Sequence, residues 1–175
     1  MNIRFELVGV PYTSMAAPGG VARAIDVLRS AGLVEGSEPQ GTLTTRAISH
    51  LSRETGCGAP QVFSMRALSR GLSSRPRAAV ASSQSRGRLP LLVGGDCPVL
   101  LGALAAIRDH HGTAGLMLVD GHEDAWPPRL SPTGEASHSE VGLALGLVDD
   151  PLPEPLGSLV PLLAPDTVAM LGPRD

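Results

Sequence analysis

Residues 89–124, LPLLVGGDCPVLLGALAAIRDHHGTAGLMLVDGHED, decide the fold. Leu89 to Val93 is a short unbroken apolar run, the pattern of a parallel strand buried on both faces. Gly94, Gly95 and Asp96 interrupt it, and residues 98–110 then have the composition of a helix, with Asp96 or Cys97 available as N-cap and Pro98 tolerated in the first turn. A second buried strand follows at 115–119. Strand, helix and strand in this order imply a right-handed parallel crossover between neighbours. On that basis Gly95-Asp96-Cys97 and Asp120 sit at the carboxyl ends of adjacent parallel strands, the edge where open α/β sheets bind ligands.

Outward from this unit the pattern repeats. Residues 3–10, IRFELVGV, suit a strand, and GGVARAIDVLRSAGL at 19–33 spaces its apolar residues as a helix that Gly32 can stop. Residues 36–60 are a loop rich in Gly, Ser and Thr, with a weak strand signal at 42–48. A helix is expected at 61–72, and the arginines of SSRPRAAVASSQSRGR, 73–88, are expected on a solvated face. Toward the end, 137–148 suits a helix, the proline-rich 149–165 a loop and 167–171 a strand. No internal repeat or linker divides the chain, so residues 1–175 are expected to form one α/β domain.

Composition narrows the partners. A 42% hydrophobic content supplies a core, and 17 acidic against 14 basic residues leave no basic excess for nucleic acid or an acidic membrane surface. A small molecule is the expected partner. The first apolar stretch carries Arg4 and Glu6, unlike a secretory signal, and no run is long enough to span a bilayer, so a cytoplasmic location is expected. Two cysteines, Cys57 and Cys97, cannot build a disulfide framework and are expected to be reduced.

The chemistry concentrates in Asp120-Gly121-His122-Glu123-Asp124, directly after a strand. In extended backbone, side chains two apart point the same way, so Asp120, His122 and Asp124 can converge. Carboxylate oxygens and an imidazole suit Mn, Fe, Zn or Co; a polar surface loop in which Asp120 caps a turn is the plain alternative. Cys97 is placed near Asp120 by the strand order, at a helix N-terminus whose dipole lowers a thiol pKa, with a small buried cysteine as its alternative. His138 follows a segment rich in Ser, Pro and Gly, while His50, His110 and His111 lack such context and are expected to be exposed.

Five ordered segments resemble the ureohydrolases, the arginase, agmatinase and formiminoglutamase family. GVPYTSMAAPGGVARAIDVLRSAGL resembles that family's opening. GRLPLLVGGDC is similar to its G-R-x-P-L-x-x-G-G-D-H, VDGHEDAW to its D-A-H-x-D, GEASHSEVGLALG to its histidine segment and LGPRD to its G-x-R-D strand end. The resemblance implies a three-layer α/β/α fold with a mainly parallel central sheet, incomplete at the C-terminus. It further implies a hydrolase that cuts a guanidino or related C–N bond with metal-activated hydroxide, and a small guanidino or amidine-type substrate. A homo-oligomer is expected as well.

By the same resemblance Asp120, His122 and Asp124 are metal ligands, and His138 is the proton-transferring catalytic residue alongside Asp124. Cys97 stands where the family has a histidine ligand; a thiolate moves the preference from Mn toward Zn. The family's later D-x-D pair has no counterpart before Asp175, Trp126 stands where arginine-specific members carry asparagine, and Ser139 replaces a glycine. Arginine is therefore not supported as substrate. Two other classes remain open: a non-catalytic homologue that binds a ligand or partner, and a thiol hydrolase using Cys97 with His122 or His138.

Overall fold

A computed structural model describes residues 4–12, 20–32, 44–47, 75–130, 136–149 and 151–174. The helix expected at 61–72 and His50 lie outside them. Strand β1 (Phe5–Gly9) runs parallel to β2 (Thr44–Ala47) on one side and to β3 (Leu89–Val93) on the other. Strand β4 (Leu116–Val119) pairs in parallel with β5 (Val168–Leu171). The parallel α/β class expected from the sequence is therefore present, and the weak signal at 42–48 is a strand.

Strand order differs from the expectation. Among the described residues β3 bonds to β1 and β4 to β5, with no ladder between β3 and β4. The crossover helix thus links strands of separate ladders, not immediate neighbours. Burial differs too. Leu7 and Val8 of central β1 are fully buried, but Leu89 and Leu91 are exposed on β3, as are Met117 and Val119 on β4. These apolar runs look continuous because both faces are hydrophobic, yet the described helices cover one face and leave alternate residues in solvent.

Helix α1 (Ala24–Ser30) is stopped as expected, with Gly32 at φ 84° and its N–H donating to the Arg29 carbonyl. It lies so close to β1 that a Cβ on Gly9 would stand 2.5 Å from Ile25 Cγ1. Helix α2 (Arg75–Ser85) packs against α3 (Val99–His111), which ends at Gly112 with φ 80°. Leu101, Leu104 and Ala105 of α3 enter the core with Val8, Val10 and Leu143. Burying each large aliphatic side chain contributes about 1.5–3 kcal/mol. Helix α4 (Glu140–Leu145) is buried along most of its length and ends at Gly146, and a short helix α5 (Leu156–Leu159) interrupts the proline-rich segment expected as loop.

Glu6 is a charge placed inside this sheet. Arg86 Nη2 donates to both its carboxylate oxygens, at 2.7 and 2.6 Å, so at least this arginine of the 73–88 cluster is not part of a merely solvated face. Burial pushes the Glu6 pKa up, but hydrogen bonds from Arg86 and Ser83 and the charges of Arg86 and Arg88 outweigh it, and the net shift is downward. A lowered folded-state pKa stabilises the fold above the unfolded value and loses that contribution as pH falls through the folded one. Arg86→Ala strands the buried carboxylate and is expected to cost about 2–3 kcal/mol at pH 7, less than the roughly 3–5 of a fully buried pair, because Arg86 is 41% exposed. Urea unfolding should show this difference shrinking as pH falls below the ordinary glutamate range; a difference independent of pH would contradict the assignment.

Candidate metal centre

The loops at the carboxyl ends of β3 and β4 carry the candidate residues. After β3, Gly95 has φ 81°, and a Cβ there would stand 2.7 Å from the Val10 carbonyl oxygen and 2.9 Å from Val99 Cγ2. Both backbone and space demand glycine, so the chain turns tightly and delivers Asp96 and Cys97 at the start of α3. Pro98 takes the cap position without a side-chain cap bond, in place of the expected Asp96 or Cys97. The backbone carbonyls of those two residues instead accept from Val99 and Leu100 N–H, at 3.1 and 3.0 Å.

After β4, Asp120 N–H donates to the Leu171 carbonyl at 3.1 Å, and Arg174 N–H donates to that of Gly121 at 3.1 Å, so the end of β5 clasps the loop. Asp120 Oδ1 accepts His122 N–H at 3.1 Å, an Asx turn that bends the chain. Asp124 has φ 50°, a left-handed conformation that short polar residues tolerate. Together these bends defeat the simple alternation expected of an extended segment. Cys97, Asp120 and Asp124 converge, with one ligand atom from each lying within 4.8 Å of the others. His122 stays outside that group, 69% exposed, with Nδ1 3.7 Å from Asp120 Oδ1.

Helix α4 is fixed to the same loop. The Asp124 carbonyl accepts the N–H groups of Val141 and Gly142 at 3.0 and 3.3 Å, and the His138 carbonyl accepts Trp126 N–H at 2.9 Å. Gly142 permits the approach, since a Cβ there would meet the Ala125 backbone at 3.1 Å. The half-buried His138 consequently acts electrostatically on Asp124, and the buried Glu140 carboxyl lies beside that of Asp124.

The field at this point is strongly negative. Burial pushes Asp124 up from the ordinary carboxylate range, against the hydrogen bond with Glu140, and the Asp120 charge raises it further. Glu140 is pushed up to about 9, by burial first and then by the charge of Asp124. Partial burial, followed by the charges of Glu140, Asp96, Asp124 and Asp120, pushes the Cys97 thiol up to about 12. Burial of the thiol first, and the acids after it, thus overturn the expected lowering by the helix dipole, while Cys97 is solvent-exposed as a residue, not the small buried cysteine of the alternative. A cation among these groups reverses the local balance, because a coordinating thiol is deprotonated outright.

Comparison with known proteins supplies the lineage. A family profile described as the arginase family matches residues 3–173. The chain belongs to the arginase family. It is 26% identical over 177 residues to the arginase of Bacillus caldovelox, a match covering 97% of this chain and 58% of that protein. Over 97 residues, 55% of this chain and 24% of the relative, it is 32% identical to the arginase of Eremothecium gossypii. The native structure of the Bacillus caldovelox arginase superposes with a TM-score of 0.83 at 25% identity, over 99% of this chain and 58% of that one. The arginase-like fold is therefore shared, while this chain spans less than two thirds of the length of these relatives.

Within this arginase-family fold, the structure gathers Cys97, Asp120 and Asp124, sets His138 beside Asp124 and leaves His122 at the rim. His110 and His111 are exposed, as expected. Two neighbouring residues carried no weight in the sequence. Tyr12 has a buried hydroxyl without a hydrogen-bond partner among the described residues and feels the charge of Asp96. Glu140 passes for an ordinary first-turn acid at a helix start; the signal was the apolar VGLALGLV that follows it, which marks a helix buried on most sides.

Proposed function

We propose that this chain is a metal-dependent ureohydrolase-like hydrolase, acting on a guanidino or amidine-type C–N bond of a small molecule. The observation that carries the proposal is the convergence of Cys97, Asp120 and Asp124 at the strand ends of an arginase-family fold. Two carboxylates and a thiolate form a donor set that fits a borderline-soft divalent ion such as Zn better than Mn. His122, beside Asp120, is the residue in place to extend the shell on the exposed side. A bound ion of this kind supplies a nucleophile at neutral pH by lowering the pKa of water to about 7.

The remaining tasks fall to the chain itself. A guanidinium is resonance-stabilised, so its leaving amine needs a proton at the moment of cleavage. His138, half-buried and within the field of Asp124, is the group suited to hold that proton on an imidazole nitrogen. Asp124 has a further duty in orienting the site, since its backbone anchors α4 while its carboxylate faces Cys97 and Asp120. The Cys97 thiol, held far above neutrality by burial and then by the surrounding acids, suits a metal ligand better than the nucleophile of a thiol hydrolase.

A second reading is a non-catalytic family member that binds a ligand or partner, and the small donor set favours it, because His122 is not gathered with the other three. We also propose that copies of the chain associate in a cytoplasmic setting, through the exposed apolar side chains of Leu89, Leu91, Met117, Val119 and Leu171. Among the described residues no helix is long and apolar enough to cross a membrane. Sedimentation should then show an apparent mass that rises with concentration; a constant monomer mass would exclude the association.

Metal analysis tests the enzymatic reading. After dialysis the chain is expected to retain at most one divalent ion, more Zn than Mn, and Asp120→Ala is expected to abolish retention. Release of urea or amine from a guanidino substrate should depend on that ion and fall by roughly 100-fold or more in His138→Ala, the span typical of a lost acid–base group. Metal retained without turnover on a panel of guanidino and amidine compounds would favour the non-catalytic reading, and two tightly held ions would contradict the proposed shell.

A further inference from the structure

Among the described residues, the buried carboxyls are those of Glu6, Asp124 and Glu140. Arg86 neutralises Glu6, and Asp124 belongs to the converging donors. Glu140 is different. Its residue is 1% exposed, its Oε2 has no hydrogen-bond partner among the described residues, and the charges found to act on it, Asp124 and Asp96, are both acidic. Burying a carboxyl beside other carboxyls without a cation is unfavourable, and a structural acid would have been placed opposite a base, as Glu6 is.

Position argues in the same direction. Glu140 shares a hydrogen bond with the Asp124 side chain, and the next residue, Val141, donates its N–H to the Asp124 carbonyl at 3.0 Å. It therefore stands beside one of the three converging donors, although no oxygen of its own belongs to the group within 4.8 Å. Three protein donors leave a divalent ion with open positions, and a site that expands to five-coordinate can take a fourth protein donor and still keep a place for water. We propose that Glu140 supplies Oε2 as a further donor to a divalent cation held by Cys97, Asp120 and Asp124, giving this chain a shell of one sulfur and three carboxylates.

This inference rests on the metal reading above, and its test separates the two. Cobalt(II) chloride is titrated into the reduced chain, with calorimetry for affinity and visible absorption for the ligand field. The unaltered protein is expected to bind cobalt and to show a sulfur-to-cobalt charge-transfer band from Cys97. Glu140→Gln, which keeps the shape but not the anion, is expected to lose tenfold or more in affinity and to change the ligand-field bands while keeping the charge-transfer band. Glu140→Met, apolar and suited to a buried helix, guards against misfolding: its metal-free melting temperature should equal or exceed the parent's, and its cobalt-induced rise should shrink. Equal cobalt affinity and unchanged spectra in both variants would overturn the role of Glu140 alone. No cobalt binding to the unaltered chain would overturn this inference and the metal reading together.

Discussion

The hydrogen bonds from the first turn of α4 to the Asp124 carbonyl hold the site in its shape. A helix start exposes N–H groups that need acceptors, and here a loop carbonyl from the end of a strand provides one. To do so the loop must bend, and Asp124 takes a left-handed backbone conformation that costs about 1–2 kcal/mol in a residue with a Cβ. The bend turns the Asp124 carboxylate toward Cys97 and Asp120, while the same pairing places His138 and Glu140 at its side. Gly95 after β3, Gly172 after β5 and Gly142 within α4 mark places around the site where the backbone leaves little or no room for a side chain. Packing makes the arrangement durable, since Leu143 and Ala144 of α4 are fully buried in the core shared with α3.

Much of this architecture was legible in the sequence, for physical reasons that differ between elements. Leu89–Val93 and Leu116–Val119 announce strands because short apolar runs bounded by glycine have few other uses, and Gly32 announces a helix end because glycine adopts a left-handed conformation freely. Pairing order was not legible. Nothing in the composition of β3 or β4 says that β1 and β5 are their partners, since ladder bonds are made by backbone groups that every residue shares. Nor could an apolar run reveal that one of its faces lies in solvent.

At the site, identity was easier to read than geometry. Asp120 and Asp124 converge although the argument for it assumed extended backbone, whereas the chain reaches convergence through an Asx turn and a left-handed residue, and these same bends leave His122 outside. Cys97 does lie near Asp120, but its electrostatics run opposite to the expectation: a helix dipole contributes a fraction of a charge, and burial of the thiol followed by nearby carboxyls outweighs it. Glu140 is not legible in the sequence because a glutamate in a first helical turn has an ordinary explanation, and only the burial of the helix removes it.

The crowding of Asp120, Asp124 and Glu140 is the reason for a cation, and the sulfur of Cys97 is the reason for its identity. X-ray absorption at the zinc edge, on the chain loaded with a single equivalent of zinc, addresses that claim most directly. The expected spectrum contains one sulfur at about 2.3 Å together with oxygen or nitrogen neighbours at about 2.0–2.2 Å, the distances of mixed zinc sites. A shell made of oxygen and nitrogen alone, unchanged when Cys97 is replaced by serine, would contradict it.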